Sequence, residues 1–463
     1  MSKIIQADNK VMQKHTRLTR EQKEVVGLLS IGTFLEYFDL MLYVHMAVLL
    51  NELFFPKTDP HTATLLSAAA FCSTYLLRPF GALIFGWIGD NVGRKASVVI
   101  TTFLMAISCF VMANLPTFAQ IGITAAWLVT ICRIVQGMTS MGEITGAQLY
   151  LTEYLQPPKR YVSVAIIVFC AAFGGFAALG VASLVISYAL NWRLAFWFGA
   201  GVALVGMIAR TTLRETPEFA DAKRRLNKTF QQLKSIGSNI DVEHVMQDTL
   251  NIQEKTNWKT TISLLLVDCI WPVIFYFTYI HCANILKYSF HYTAEQIIYN
   301  NFIVSAILLG NMIFVLYFTN KYHPLVILKI RLILVSIYFL MIPYLLNNAT
   351  TGFDILIIQS LLLFTACEAS PANAIFFKHF LPIFKRFTYT SAIYAASRAL
   401  VYLITSVSLV YLTDYFSHWG LYFITIPTIV GCTYGLSYFI KLEKDAGNLS
   451  EKKTYVDSVA NIA

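Results

Sequence analysis

Apolar runs about 20 residues long recur along nearly the whole chain, and a helix of that length is what crosses a bilayer core about 30 Å thick. They fall near 25–50, 63–88, 96–115, 120–150, 161–190, 194–213, 261–287, 296–319, 325–346, 352–377, 386–413 and 417–440, twelve in two groups of six. Charged residues make up only 13% of the 463 positions and hydrophobic ones 57%, against the usual charged share of about 25%. A segment inside hydrocarbon must satisfy its own backbone hydrogen bonds, so the chain is expected to be an all-α membrane protein. Between 214 and 260 the composition turns polar and charged, with amphipathic patches. That stretch reads as a linker joining an N-terminal six-helix bundle (25–213) to a C-terminal one (261–440). Tails at 1–24 and 441–463 flank them, and the second carries no sustained heptad pattern.

The net charge of +9 is distributed by side, not by surface patch. In the twelve-span arrangement the external loops carry only Lys57, Arg193 and Lys287. The opposite side holds Lys3, Lys10, Lys14, Arg17, Arg20 and Lys23, the Arg94–Lys95 and Lys159–Arg160 turns, the linker and the C-terminal tail. Lys and Arg mark cytoplasmic loops, which places both termini in the cytoplasm. Nucleic-acid binding gains nothing from this charge, because no basic helix with interleaved aromatics lies outside the spans. All eight cysteines fall within predicted spans without metal-ligand spacing, so neither a disulfide framework nor a zinc site is expected. The polar first 24 residues do not form a cleavable signal, and the first span is expected to direct insertion.

A charge near the bilayer centre costs at least about 2.5–3.5 kcal/mol, so each one calls for a reason. In GTFLEYFDLMLYVH, Glu36 and Asp39 share a face of the first span. Two neighbouring buried carboxylates raise each other's proton affinity, which suits a group that loads and releases a proton. The alternative is permanent pairing with an internal base. Arg78, at the Arg-Pro step of the second span, is the evident partner. In the fourth span Arg133, Gln136, Ser140, Glu143 and Ala147 form a polar stripe, and Gly137, Gly142 and Gly146 permit close helix approach. The stripe reads either as a solute or proton pathway or as a polar seam between helices. Glu153 lies at its end and reads as structural. In the second half Asp268, Trp271, Phe275 and Tyr279 share a face of the seventh span, with His281 elsewhere on it. Glu368 in the tenth span and Arg398 in the eleventh are candidates to pair. Phe34, Tyr37 and Phe38 beside the first-span carboxylates offer aromatic faces of the kind that hold a quaternary ammonium.

The stretch 78–95, RPFGALIFGWIGDNVGRK, leaves one apolar run through a short turn and enters the next. Its Gly86, Asp90, Gly93, Arg94 and Lys95 match the loop between helices two and three of the major facilitator superfamily, with Asn91 where a base is usual. Together with GTFLEYFDLMLY, RIVQGMTSMGEITGAQLYLTEY and LRETPEF, it resembles the metabolite:proton symporter family of the major facilitators, and within it the proline/betaine transporters. The likeness covers about residues 30–220; LPIFKRFTYTSAIYAASRA adds a weaker match in the second half, with Ala395 where an Asn is common. It implies a twelve-helix fold and proton-driven import of a small polar solute by alternating access, without a cofactor beyond the coupling proton. Glu36, Asp39 and Glu143 are the implied proton-coupling positions. Tyr37, Arg78, Arg133, Gln136 and Trp271 are expected to bind solute, and Gly86, Asp90, Gly93 and Arg94 to form a conformational latch. An osmolyte such as proline or glycine betaine is the expected cargo. The alternative is a small carboxylate such as 2-oxoglutarate, shikimate or citrate, with Arg133 as its ligand. The resemblance also implies a bacterial inner membrane, with the solute, protons and bilayer as the only partners. Phosphate loops, HExxH helices and nucleophile elbows are not apparent, so an enzyme is not expected.

Overall fold

The computed structural model describes residues 18–46, 50, 53–55, 75–188, 191–221, 223–225, 228, 257–380 and 383–449. The tail basics up to Arg17, Lys57, Cys72, the start of the second span, most of the 214–260 linker and the end of the C-terminal tail lie outside the described residues. Every regular element among the described residues is helical.

The first half contains α1 (Arg20–His45), α2 (Arg78–Asn91), α3 (Arg94–Asn114), α4 (Ile123–Tyr154), α5 (Lys159–Ser187) and α6 (Arg193–Thr211). The seventh span runs in pieces, α7 (Trp258–Asp268), α8 (Ile270–Tyr276), a π turn (Phe277–His281) and α9 (Cys282–Tyr288). Then come α10 (Ala294–Thr319), α11 (Pro324–Asn347), α12 (Gly352–Thr365), α13 (Asn373–Phe376), α14 (Ile383–Phe416) and α15 (Tyr422–Asp445). Eight helical stretches among the described residues are long and apolar enough to cross a membrane; α6 and α12 are shorter apolar helices.

Local chemistry starts these helices where they start. Asn257 caps α7 by accepting the Lys259 N–H. Thr293 with Gln296, and Thr351 with Asp354, form capping boxes at α10 and α12. Pro324 opens α11 at a position whose N–H would have no helical partner.

Two predicted spans are broken. The seventh is interrupted at Cys269, where Pro272 has no N–H to return to the Asp268 carbonyl. The tenth was expected to run continuously over 352–377, but its helix stops at Thr365. Pro371 disfavours helix at Ser370, and the chain re-enters helix only at Asn373. The carbonyl freed at Ala366 accepts Arg331 Nε at 2.6 Å.

The halves pack through α2 against α14 and through α5 against α10. These are the second and eleventh, and the fifth and eighth, spans, pairs that exchange when one six-span unit is laid on the other. Phe38, Leu42, Phe54 and Phe196 fill the first half, while Leu264, Ile274, Val335, Phe376 and Phe439 fill the second. Trp127, Val205, Ile330, Phe353 and Val430 stay exposed on the outside, as lipid-facing residues do.

Candidate functional site

A cavity with about 680 Å³ of space lies between the halves. Tyr37 and Met41 come from α1, Ile144 from α4, Val168 to Phe176 from α5, Trp271, Phe275 and Tyr279 from the broken seventh span, and Ser305 to Met312 from α10. Tyr394 of α14 and Glu368, from the non-helical stretch after α12, complete it. Among the described residues its lining holds six aromatic rings and one charged side chain, Glu368. Tyr37 and Tyr394 join the halves by a 3.2 Å hydroxyl contact, and Tyr279 pairs with Ser305 at 2.9 Å. Phe176 stacks on Phe302 across the halves with centroids 4.5 Å apart. A second space of about 410 Å³ shares Val168, Trp271, Leu308, Met312 and Glu368, and adds Asn311, Arg331 and Ser370.

Of the residues expected to bind solute, Tyr37 and Trp271 line the cavity; Arg78, Arg133 and Gln136 do not. Arg133 donates to Gln136 Oε1 at 2.8 Å and lies 4.0 Å from the Tyr43 ring centroid. The expected ion pair of Arg78 with the first-span carboxylates is not formed among the described residues. Its guanidinium instead rests on the Tyr75 ring at 4.3 Å, with Nε and one terminal nitrogen unbonded. Phe34 and Phe38 stack on each other and turn toward Phe173 and Phe198, so only Tyr37 of the expected aromatic group reaches the cavity.

Glu36 and Asp39 are both buried. Glu36 Oε2 and both Asp39 oxygens make no hydrogen bond among the described residues, although Asp39 faces Cys109 and Gln136. Glu143 differs. It accepts from Thr101 Oγ1 at 2.9 Å and is paired with Arg210, which also donates to Thr102 and to the Leu29 carbonyl at 3.1 Å. Arg210 was not expected here, since it closes α6 and reads as an interfacial base. It reaches inward because α1 carries no side chain at Gly32, where a Cβ would fall 1.7 Å from the arginine's Cζ. Gly32→Ala is therefore expected to cost about 1–3 kcal/mol by forcing the guanidinium aside. An unchanged melting temperature in detergent would show that Arg210 does not fill that groove.

The expected latch residues do come together, at the end of the bundle where the linker leaves. Arg94 pairs with Asp90 at 2.6 Å and Glu153 at 3.2 Å, and donates to the Gly89 and Ile383 carbonyls, each at 2.8 Å. Asp90 accepts the backbone N–H groups of Phe387 at 3.1 Å and Thr388 at 2.8 Å, and the Thr388 hydroxyl at 2.7 Å. Gly86 lies where α2 meets Thr388. Gly93 has φ +154°, and a Cβ there would sit 2.1 Å from a Glu215 oxygen, so only glycine fits the turn. Glu215 in turn accepts the backbone N–H groups of Arg94 at 3.1 Å and Lys95 at 3.3 Å. Arg386 pairs with Glu153 at 3.2 Å and Glu218 at 3.0 Å, and Glu218 with Lys378 at 2.7 Å. Glu215 and Glu218 belong to LRETPEF, which reads in sequence only as an exit from the first half.

In the second half, Arg398 lies 3.3 Å from the Tyr394 ring centroid and 4.0 Å from Asp268. The expected Glu368–Arg398 pair is not formed: among the described residues Glu368 makes no ion pair or hydrogen bond. His281 faces His418 at 6.2 Å between ring centroids, away from the cavity lining.

A family model described as Major Facilitator Superfamily matches residues 29–382, and the chain belongs to that family, whose members are multi-pass membrane transporters. The proline/betaine transporter of Salmonella typhimurium is 27% identical over 300 residues, covering 63% of this chain and 58% of that relative. The inner membrane metabolite transport protein YhjE of Escherichia coli is 38% identical over 226 residues, covering 46% and 51%. The chain thus spans little more than half the length of the curated relatives it matches. In fold it is similar to the proton:xylose symporter XylE bound to 6-bromo-6-deoxy-D-glucose, with TM-score 0.73 and 15% identity over 90% of this chain and 95% of that one. These neighbours are transporters, not enzymes.

Proposed function

We propose that this chain is a proton-coupled symporter that imports a zwitterionic osmolyte, such as proline or glycine betaine, across a bacterial inner membrane, with its latch on the cytoplasmic side. The observation that carries the solute class is the cavity lining: among the described residues it holds six aromatic rings and one carboxylate, with no base. Aromatic faces and a carboxylate attract a positive centre such as a quaternary or secondary ammonium. Relatives named as proline/betaine transporters support the same reading. A small carboxylate is the weaker cargo, because Arg133 lies outside the lining and against Tyr43 and Gln136.

Coupling is assigned to Glu36 and Asp39: among the described residues Glu36 Oε2 and both Asp39 oxygens make no hydrogen bond, whereas Glu143 is held by Arg210. A carboxylate charge inside the membrane is costly, which suits residues that carry a proton during part of a transport cycle. The test is uptake into proteoliposomes under an inward proton gradient, with labelled glycine betaine, proline, 2-oxoglutarate and shikimate offered separately. Accumulation of the zwitterions, rising at acid external pH and collapsing with a protonophore, is the expected result. Accumulation of an anion alone would overturn the solute class, and indifference to the gradient would overturn symport. Glu36→Gln and Asp39→Asn should each impair gradient-driven accumulation by about tenfold or more while leaving solute exchange closer to normal. Equal loss of both activities would assign these residues to structure.

A further inference from the structure

Among the described residues Glu368 is the one charged residue of the central cavity, and it also lines the smaller space beside it. It sits in the break between α12 and α13, the kind of discontinuity at which membrane transporters build ligand sites. The buried carboxylates nearby are paired or lie outside the lining: Glu143 pairs with Arg210, Asp268 faces Arg398, and Glu36 and Asp39 are not among the lining residues. Glu368 is only half-buried, and among the described residues it makes no hydrogen bond or ion pair.

The smaller space brings a base within reach of the same ligand. Arg331 lines it, fixed in place by the Ala366 carbonyl at 2.6 Å and by Asn311 Oδ1 at 3.3 Å. Glu368 and Arg331 feel each other's charge but are more than 4.0 Å apart, since no ion pair joins them. A carboxylate and a guanidinium that share one space without closing on each other leave room for a molecule carrying both signs. Trp271 lines both spaces, and Phe275 and Tyr279 extend the aromatic wall on the Glu368 side.

We propose that Glu368 and Arg331 bind the two ends of a zwitterionic solute, the carboxylate of Glu368 taking its ammonium against Trp271 and the guanidinium of Arg331 taking its carboxylate. This deepens the osmolyte reading and rests on it. Both residues thereby determine specificity: a solute lacking either charge leaves one of them facing an uncompensated site, which is how buried polar sites reject analogues.

The test uses purified full-length protein in detergent and equilibrium binding of labelled glycine betaine, with no proton gradient applied. The competitors are unlabelled betaine, choline, and 3,3-dimethylbutyrate, in which carbon replaces the charged nitrogen in the same shape. Wild-type protein should prefer betaine to either analogue by about tenfold to a hundredfold, the range expected for one charge-assisted contact. Glu368→Gln should weaken betaine by a similar factor while leaving 3,3-dimethylbutyrate nearly unchanged, and Glu368→Asp should restore part of the loss. Equal wild-type affinity for betaine and 3,3-dimethylbutyrate would overturn the role of Glu368 without recourse to a variant. Equal affinity for betaine and choline would overturn that of Arg331. If the wild type transports betaine yet Glu368→Gln binds it undiminished, the site is wrong and the function stands. If the wild type binds neither betaine nor proline, both fall.

Discussion

Arg94→Met should reduce uptake by more than about tenfold and lower the melting temperature, because it leaves buried Asp90 without its cation and Glu153 with one base instead of two. Arg94 serves Asp90, Glu153 and the carbonyls of Gly89 and Ile383 through one planar fork. Removing one partner of such a buried network typically costs about 3–5 kcal/mol, much of it the penalty for the charge left behind. Glu153 retains Arg386, so the loss is concentrated on Asp90, which also holds the first turns of α14. Arg94→Lys should recover only part of the loss, since an ammonium keeps the charge but not the fork. The stability arm is read by thermal melting in detergent and the transport arm in proteoliposomes. Normal uptake and an unchanged melting temperature in Arg94→Met would remove the latch from the mechanism.

Arg210→Met is expected to be comparably severe, and Glu143→Gln should rescue it. Glu143 is buried, so without Arg210 it must either remain charged in the membrane interior or take up a proton. The single arginine change should cost about 3–5 kcal/mol, whereas the double change removes both charges and leaves a neutral amide beside Thr101 and Thr102. A double-mutant cycle on melting in detergent should therefore show strong coupling of about 2–3 kcal/mol. Additive losses would mean that the two side chains do not act as a pair. The same experiment bears on coupling: if Glu143→Gln alone retains gradient-driven uptake, Glu143 is a fixed countercharge, and the mobile proton belongs to Glu36 and Asp39.

The first half was the legible half, for a physical reason. Its contributions to the latch are the side chains of Asp90, Arg94 and Glu153, together with the turn at Gly93, and side-chain types can be read from sequence. Many second-half contributions are main-chain groups: the Ile383 and Phe380 carbonyls and the N–H groups of Phe387 and Thr388. Those leave no signature in residue identity. The aromatic wall was only partly visible, because helical periodicity placed Trp271, Phe275 and Tyr279 on one face but could not pair them with Tyr394 across the halves. Arg210 was hidden by its position at a helix end. The signal that might have exposed it was Gly32, together with the Thr101–Thr102 pair opposite. Glu368 was noticed as a charge and misassigned to Arg398, because a continuous tenth span was assumed; with Pro371 given its weight, the break and the open carboxylate follow together.

The interruptions at Cys269 and after Thr365 both lie in the second half and both border the cavity, through Trp271 and Glu368. Facing them are α1, α4 and α5, each an unbroken rod across the described membrane stretch. Among the described residues the cavity wall is therefore continuous helix on one side and interrupted helix on the other. We expect the first-half wall to move as a unit and the interrupted second-half segments to adjust around what they hold. Amide exchange should be fastest at 366–372 and around Cys269, and cargo should slow it there more than anywhere on the first-half wall. A transporter built this way divides its labour between a lever and a hand.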